Sequence, residues 1–316
     1  MRVDQLRLMA VHAHPDDESS KGGATLARYA REGVEVMVVT CTGGERGDII
    51  NPYLYNDVSL LADLPRVRRR EMAEAQRILG VAHRWLGFVD SGMPYGGRLP
   101  EGCFASTPVQ VAARRLVAVV REFRPHVMTT YDETGGYPHP DHVMCHRVSV
   151  HAFDAAGDAD LHRDLGPAWQ PLKLYYSRAH SRARAAALRQ AMRDAGQRPA
   201  YIWTEGATRW DGREFTTRVT CADWFDVRDR ALRAHATQVD PHGFWFGVPN
   251  HIQRAAWPTE EFELVRSLAP AVTLEDDLFA GVRTRSSGAA RVVRVSKEWT
   301  VGQGRMRRRV TRRLKV

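Results

Sequence analysis

Histidine and carboxylate side chains are concentrated in two short stretches of the sequence. The first, residues 12–18, reads His-Ala-His-Pro-Asp-Asp-Glu and places two imidazoles and three carboxylates within seven residues. Carboxylates packed this closely repel each other, and a divalent cation neutralises them and fixes their geometry. His14 and Asp17 are three residues apart across a turn, so both can bind one metal ion, and imidazole with carboxylate suits Zn²⁺ or Fe²⁺. The simpler alternative is an exposed acidic turn that caps the following helix.

The second stretch, residues 135–142, reads Gly-Gly-Tyr-Pro-His-Pro-Asp-His. Like the first, it follows an apolar segment that we predict as a strand. Because the carboxyl ends of parallel strands lie on one face of a sheet, we expect the two stretches to converge on one crevice. His142 would then complete a set of two histidines and one carboxylate that leaves positions open for water and substrate. Asp16, next to a ligand but free, is expected to act as general base toward a water that the cation acidifies.

Strand-like apolar segments and amphipathic helical segments alternate through the first half of the chain. This alternation predicts an α/β fold, Rossmann-like, with a mostly parallel sheet flanked by helices and a ligand crevice at the carboxyl ends of the strands. The predicted strands are residues 6–11, 34–40, 85–88 and 126–131, and the predicted helices are residues 19–31, 65–79, 109–123 and 141–155.

The alternation is less regular in the second half, which predicts a smaller C-terminal cap or subdomain. We expect a Rossmann-like metal-binding catalytic core at residues 1–170, the remainder of the catalytic domain with a substrate cap at residues 171–281, and a basic tail at residues 282–316. The predicted elements after the core are a strand at residues 172–176, a helix at 181–195, a β-rich stretch at 201–221 and a helix at 227–237.

The net charge of +9 is distributed unevenly along the 316 residues. Residues 282–316 hold 12 of the 46 basic residues and one of the 37 acidic residues, so the rest of the chain is nearly neutral. The tail is poor in large apolar residues, which predicts a flexible extension. Six of the nine residues at 305–313 are basic. This basic run supports a different class of function, a nucleic-acid-binding protein with a structural metal site. Because the sequence shows no recognisable nucleic-acid-binding fold, we expect nucleic acid to make only weak contacts with the tail.

Three further observations bound the class of protein. No apolar run reaches the length that spans a bilayer, and the start of the chain lacks the apolar stretch of a signal peptide, so we expect a cytoplasmic protein. The four cysteines lie far apart without a C-x-x-C pair, which predicts reduced thiols. The first predicted strand is followed by His-Pro-Asp-Asp instead of G-x-G-x-x-G, which excludes a dinucleotide-binding site. The oligomeric state stays open.

The pairing of H-P-D-D-E with a later H-P-D-H resembles the LmbE-like or PIG-L-like zinc N-deacetylases. Residues 41–48, Cys-Thr-Gly-Gly-Glu-Arg-Gly-Asp, extend the likeness, as do residues 90–93, 257–261 and 275–279. The resemblance covers about residues 5–281, and the tail matches nothing associated with the family.

This resemblance implies the metal chemistry and the substrate class. It assigns one zinc ion per chain to His14, Asp17 and His142, with Fe²⁺ as the other candidate, and it makes Asp16 the general base. The implied partner is a small molecule, an N-acyl glucosamine often linked to inositol. The amidase branch of the family cleaves mycothiol S-conjugates to a mercapturate, which is an S-substituted N-acetylcysteine, and glucosaminyl inositol, a detoxification step. The deacetylase that acts on N-acetylglucosaminyl inositol is the alternative.

The resemblance also implies roles for three residues of the second stretch. His139 would be the general acid or the electrostatic partner of the leaving amine. Asp141 would orient the His139 imidazole. Tyr137 would polarise the amide carbonyl or stabilise the tetrahedral oxyanion from a mobile loop.

Three more residues are candidates for substrate binding. Arg68 matches a family arginine that holds the inositol end of the substrate, although three adjacent arginines are also typical of a solvated helix face. Asp90 would bind sugar hydroxyls or simply start a turn. Lys21 is typical of the amidase branch, and an unremarkable exposed lysine is its alternative. Of two other histidines, we expect His12 to pack at the strand end and His235 to lie either at the crevice or on a helix surface.

Overall fold

One mixed sheet of seven strands is the centre of the computed structural model, which describes residues 5–94, 97–177, 181–198, 215–272 and 274–283. The strands contain runs of β-branched and large apolar side chains, which favour extended backbone. They are β1 (Arg7–His12), β2 (Glu35–Thr42), β3 (Ala82–Phe88), β4 (Val127–Thr130), β5 (Lys173–Ser177), β6 (Thr217–Thr220) and β7 (Thr259–Ser267).

The strand order is β3-β2-β1-β4-β5-β7-β6. Neighbouring strands from β3 to β5 are parallel, and β7 is antiparallel to both β5 and β6. The predicted α/β class with a mostly parallel sheet flanked by helices is therefore confirmed. Because β1 lies between β2 and β4, the loop after β1 has the loops after both neighbours beside it at one edge of the sheet.

Nine α-helices within the described residues connect the strands or cover the sheet. Alternate residues of β1 point to opposite faces, where Met9 packs with residues of the helices after β3 and β4, and Leu8 packs with residues of the helix before β2. The helices are α1 (Asp17–Ser20), α2 (Gly23–Arg31), α3 (Val58–Ala62), α4 (Leu64–Leu79), α5 (Val109–Phe123), α6 (Pro140–Ala156), α7 (Arg182–Asp194), α8 (Phe225–Ala234) and α9 (Asn250–Ala256).

The predicted helix at residues 19–31 differs from the structure. It is two helices, α1 and α2, separated at Lys21 and Gly22. Gly22 has a φ of 115°, a left-handed conformation that glycine adopts at little cost and that interrupts the helix. The break matters for the site because Asp17 and Lys21 belong to a short separate turn directly after β1.

Strand β7 was not predicted from the sequence. Its residues read Thr-Glu-Glu-Phe-Glu-Leu-Val-Arg-Ser, and Glu260, Glu261 and Glu263 are buried although they are charged. Carboxylates at buried positions hide the apolar pattern by which a strand is recognised. The β-rich stretch predicted at 201–221 contains β6, while its residues 201–214 lie outside the described residues.

The last described segment, residues 274–283, packs against β5. Glu275 forms a buried ion pair with Lys173 of β5, at 2.7 Å, and accepts a hydrogen bond from the Tyr175 hydroxyl, at 2.6 Å. Val282, at the start of the predicted tail, is buried in the same core cluster as Leu8. The rest of the predicted flexible tail, residues 284–316, lies outside the described residues.

The four cysteines, all of them described, are buried and free. Among the described helices, none has the length and apolarity needed to cross a membrane.

Candidate metal centre and active site

His14, Asp17 and His142 converge as the topology requires. The first stretch follows β1, the second leads from β4 into α6, and β1 and β4 are parallel neighbours. His14 Nδ1 is 3.2 Å from His142 Nε2, which is 3.3 Å from Asp17 Oδ2. The third separation, from His14 Nδ1 to Asp17 Oδ2, is 3.6 Å. Tetrahedral zinc with bonds of about 2.0–2.1 Å separates its ligand atoms by roughly 3.3 Å, so these three donors fit one ion of this size.

The other ring nitrogen of each histidine has a partner that leaves the inner nitrogen available to a metal. His142 Nδ1–H donates to the Gly135 carbonyl oxygen at 2.7 Å. His14 Nε2 faces Asp141 Oδ2 at 3.3 Å and Asp90 Oδ1 at 3.5 Å. Metal-binding histidines have such carbonyl or carboxylate partners, which set the tautomer and the ring orientation. The donor set therefore fits a divalent metal in both its inner atoms and its outer contacts.

The Asp17 carboxylate is held in its ionised form. Its Oδ2 accepts hydrogen bonds from the Tyr131 hydroxyl at 2.6 Å and from the His14 backbone N–H at 3.0 Å, and its Oδ1 pairs with Lys21. Burial would raise the pKa of Asp17, but the charges of Lys21 and His142 hold it well below its usual range. Sequence reasoning missed Tyr131, although its hydroxyl orients the carboxylate. Lys21, proposed for substrate binding, is a partner of Asp17 here.

The pKa values of the two histidines shift in opposite directions. Burial lowers the pKa of His142. Burial acts in the same direction on His14, but hydrogen bonds with Asp141, Asp17 and Asp90 outweigh it and hold the pKa of His14 well above its usual value. A buried imidazole surrounded by carboxylates marks a local excess of negative charge, and a bound divalent cation compensates such an excess.

The backbone of Asp16 has a strained conformation that hydrogen bonds with neighbouring residues support. Its φ of 116° is left-handed, which is strained for a residue with a Cβ. The Asp16 backbone N–H donates to Glu18 Oε2 at 3.0 Å, and Glu18 Oε1 lies 2.8 Å from His235 Nε2. Burial, with the charge of Asp17, raises the pKa of Asp16 to about 7. His235 is thus buried behind the candidate base and is not a helix surface residue; the supporting role of Glu18 had not been predicted.

The Asp141 carboxylate makes other contacts than the predicted one with the His139 imidazole. It accepts hydrogen bonds from the Ser91 hydroxyl and, at 2.9 Å, from the Ser91 backbone N–H, and it faces His14. Only the backbone N–H of Asp141 reaches His139, where it donates to Nδ1 at 3.1 Å. His139 is the N-cap of α6, so this bond is an ordinary helix-capping contact, and the carboxylate is directed toward the loop after β3.

His139 and Tyr137 lie beside the candidate ligands. The His139 ring packs edge-on against His14 with centroids 4.6 Å apart, and Tyr137 packs against His142 at the same distance. Because His139 Nδ1 accepts a hydrogen bond, its proton is on Nε2. Burial and the nearby His14 and His142 lower the pKa of His139 to about 3. Tyr137 is 43% exposed, at the mouth of the site.

Charged residues of α4 and of the loops after β2 and β3 lie on one side of the candidate ligand set. Arg68 is buried, unlike its neighbours Arg69 and Arg70, and donates to the carbonyl oxygens of Gly47 and Asp48 at 3.1 and 3.0 Å. The solvated-face alternative for Arg68 is therefore wrong.

Asp90 is also buried in this region. It accepts the backbone N–H groups of Arg46 and Gly92 at 3.0 and 2.8 Å and faces His14. Asp90 thus lies at the predicted site, and it also supports a candidate ligand.

His12 is buried at the end of β1, as expected. Neither of its ring nitrogens has a hydrogen-bond partner, and its ring packs edge-on against Tyr131 with centroids 5.7 Å apart. Burial lowers the pKa of His12 to about 4, so the ring is neutral near pH 7.

Comparisons with known proteins agree with this arrangement. A model of the PIG-L family, described as GlcNAc-PI de-N-acetylase, matches residues 9–153, which include both histidine-rich stretches. A mycothiol S-conjugate amidase from Streptomyces coelicolor is 55% identical over 289 residues, which cover 89% of this chain and 99% of that protein. The chain belongs to the PIG-L family. It is therefore a metal-dependent hydrolase of the amidase and deacetylase class.

Other PIG-L relatives carry a different name. A 1D-myo-inositol 2-acetamido-2-deoxy-alpha-D-glucopyranoside deacetylase from Streptomyces avermitilis is 41% identical over 286 residues, covering 87% of this chain and 97% of that protein. Among solved structures, N,N'-diacetylchitobiose deacetylase from Pyrococcus horikoshii aligns with a TM-score of 0.57 at 19% identity, covering 83% of this chain and 85% of that one. This structural likeness supports the fold. The nucleic-acid alternative depends on residues 305–313, which lie outside the described residues.

Proposed function

We propose that this PIG-L family member is a zinc-dependent amidase that cleaves mycothiol S-conjugates to a mercapturate and glucosaminyl inositol. The observation that carries the proposal is the 55% identity to the Streptomyces coelicolor amidase along nearly the whole of that protein. The deacetylase relatives are 37–41% identical over similar lengths. The local geometry supports the chemistry, because two imidazoles and one carboxylate leave positions open for water and a carbonyl oxygen.

Zinc would be held by His14 Nδ1, Asp17 Oδ2 and His142 Nε2. When bound, zinc lowers the pKa of water and polarises a carbonyl group. The protein keeps the donors in place through outer contacts: Asp141 with His14, Gly135 with His142, and Tyr131 with Asp17. Such outer contacts fix the orientation of the donor atoms.

Asp16 is proposed as the general base. It accepts a proton from the attacking water and returns it to the amine nitrogen as the carbon–nitrogen bond breaks, so the proton balance closes within the site. His139 presents Nε2–H as a hydrogen-bond donor and electrostatic partner of the leaving amine. The Tyr137 hydroxyl donates to the carbonyl oxygen as negative charge develops there. Arg68 and Asp90 bind the inositol and sugar end of the substrate.

Deacetylation of N-acetylglucosaminyl inositol is the second candidate function. The names of the relatives at 37–41% identity favour it, and the same metal and base would serve it. The two activities differ in the acyl group, which is acetyl in one case and S-substituted N-acetylcysteine in the other.

The deciding experiment compares both substrates on protein of measured metal content. We expect about one zinc per chain and a higher kcat/KM for a mycothiol S-conjugate than for N-acetylglucosaminyl inositol, with a mercapturate among the products. Removing the metal with a chelator should stop hydrolysis, and added Zn²⁺ should restore it; Fe²⁺ in a parallel sample tests the other candidate metal. A higher kcat/KM for the acetyl substrate would support the deacetylase instead.

A further inference from the structure

A pocket with a volume of about 90 Å³ adjoins the candidate metal ligands through Lys21. Ser20 and Gly22, on either side of Lys21, form part of its wall, and Lys21 pairs with Asp17. Ser177, at the end of β5, and Glu260, at the start of β7, also line the pocket. In the sheet order these strands lie on one side of β1, whereas β2 and β3 lie on the other. The pocket is therefore on the side of the site opposite Arg68 and Asp90.

Six of the residues that line this pocket are apolar, and they lie alongside polar and charged residues. Two aromatic rings, Phe244 and Trp245, contact each other with centroids 4.3 Å apart at the pocket wall. The apolar lining residues are Ala185, Leu188, Leu232, Phe244, Trp245 and Val248.

Each of the two arginines that line the pocket has a carboxylate nearby. Arg228 forms an ion pair with Asp229 at 2.8 Å. Arg184 lies 4.0 Å from Glu261, and burial lowers the pKa of Arg184. Because each guanidinium already has a carboxylate nearby, a further anion gains little here, whereas an apolar group gains by leaving water.

We infer that this pocket binds the apolar group attached to sulfur in the S-conjugate. The inference rests on the proposed function and deepens it. In such a substrate the sulfur is three bonds from the carbonyl carbon under attack, so its substituent must lie close to the metal ligands. The sugar and inositol occupy the polar side with Arg68 and Asp90, and the acyl half extends past Lys21 into the pocket.

The pocket also separates the two candidate substrates. An acetyl group has only a methyl beyond its carbonyl and leaves the pocket empty, while an S-benzyl group fills part of it. Apolar contacts made equally before and during the reaction lower KM more than they raise kcat. Selectivity for larger apolar substituents should therefore be seen mainly in KM.

The test uses three conjugates of mycothiol that share everything except the sulfur substituent: S-methyl, S-benzyl and S-carboxymethyl. N-acetylglucosaminyl inositol is the fourth substrate. On the intact chain we expect kcat/KM for S-benzyl to exceed that for S-methyl by about tenfold or more, in line with the effect of apolar groups in enzyme pockets. S-carboxymethyl should be no better than S-methyl.

Two variants alter the pocket, Trp245→Ala and Leu188→Ala. Each should lower the S-benzyl to S-methyl ratio of kcat/KM by about tenfold, because apolar contacts with the substituent are lost. Leu161→Ala is the matched control, since Leu161 is 44% exposed and does not line the pocket. Its ratio should equal that of the unmodified chain. Leu188 is buried, so thermal unfolding is measured for every variant, and Trp245→Ala provides the test if Leu188→Ala does not fold.

The outcomes separate the inference from the proposed function. Equal kcat/KM for S-methyl and S-benzyl, or an unchanged ratio in Trp245→Ala, would overturn the pocket assignment while leaving the amidase proposal intact. A preference for S-carboxymethyl would overturn the apolar assignment in favour of an anion. Hydrolysis of the acetyl substrate without hydrolysis of any conjugate would overturn the amidase function itself.

Discussion

The two sides of the candidate metal-ligand set are built differently. On the β2 and β3 side, buried charged groups are anchored to backbone: Arg68 to two carbonyl oxygens, and Asp90 to two N–H groups. On the β5 and β7 side, apolar side chains from α7, α8 and the loop before α9 line part of the pocket, and its two arginines lie near carboxylates. A rigid polar surface suits a substrate part that never changes, such as a sugar. An apolar pocket suits a part that varies, because apolar contacts are not directional.

The largest expected effect comes from removing a candidate metal ligand, because the substrate parts on both sides are cleaved at the same metal site. His14→Ala or His142→Ala should abolish stoichiometric metal and reduce hydrolysis of every substrate to background, because two of the three donors are too few to hold the ion. Metal analysis after dialysis and turnover assays check this. His251→Ala, an exposed position on α9, is the control. Full retention of zinc in both variants would show that the ligands have been misassigned.

Removing the base should leave the metal in place. Asp16→Asn should retain zinc and lose about 10²–10⁴-fold in kcat, the usual contribution of general-base catalysis. Asn suits the test because it tolerates the left-handed backbone of Asp16. The loss should be the same for all sulfur substituents. If Asp16→Asn loses metal while Asp17→Asn keeps it, the two carboxylates have exchanged roles.

Asp141→Asn tests the contact between the polar side and the candidate metal ligands. Because its carboxylate faces His14, we expect metal affinity to fall by about 10–100-fold, the typical effect of losing an outer contact of a ligand. Competition with a chelator of known affinity measures it. A lower rate with unchanged affinity would instead favour the original expectation, in which Asp141 acts on His139.

The variants Arg68→Ala and Trp245→Ala should change different kinetic quantities. Arg68→Ala should raise KM by about tenfold for all conjugates, since it removes binding to the part of the substrate that they have in common. The S-benzyl to S-methyl ratio should stay constant, in contrast to Trp245→Ala. Arg69→Ala removes the exposed neighbour and serves as control. A change of the ratio in Arg68→Ala would mean that the two sides are not separate.

The smallest effect is expected for the basic tail. A stop after Arg283 should change turnover by less than about tenfold, equivalent to about 1.4 kcal/mol in the barrier, because every candidate site residue precedes it. The cut follows Arg283 since Val282 is buried and Arg283 pairs with Asp277 at 2.7 Å. Steady-state rates and thermal unfolding of both lengths check this. Loss of folding would reveal that the tail packs on the body.

The sequence by itself determined the parts of this protein that depend on local pattern. Alternating strand and helix periodicity predicted the mostly parallel sheet. Because parallel strands place their carboxyl ends together, it also predicted that His14, Asp17 and His142 would meet. Residue chemistry at those ends was sufficient to propose a divalent metal, since imidazole and carboxylate donors are explicit in the sequence.

Tertiary structure alone decided which distant residues support that set. Tyr131 on Asp17, Glu18 and His235 behind Asp16, and Asp141 on His14 are contacts between side chains whose directions no local pattern specifies. Strand β7 was hidden for a related reason: its buried glutamates are compensated by groups elsewhere in the chain, such as the Thr25 backbone N–H, which donates to Glu260 at 2.9 Å. A periodic pattern of apolar residues reveals the buried positions of an element only where those positions hold apolar side chains. Buried charge depends on partners that only the folded chain brings within reach.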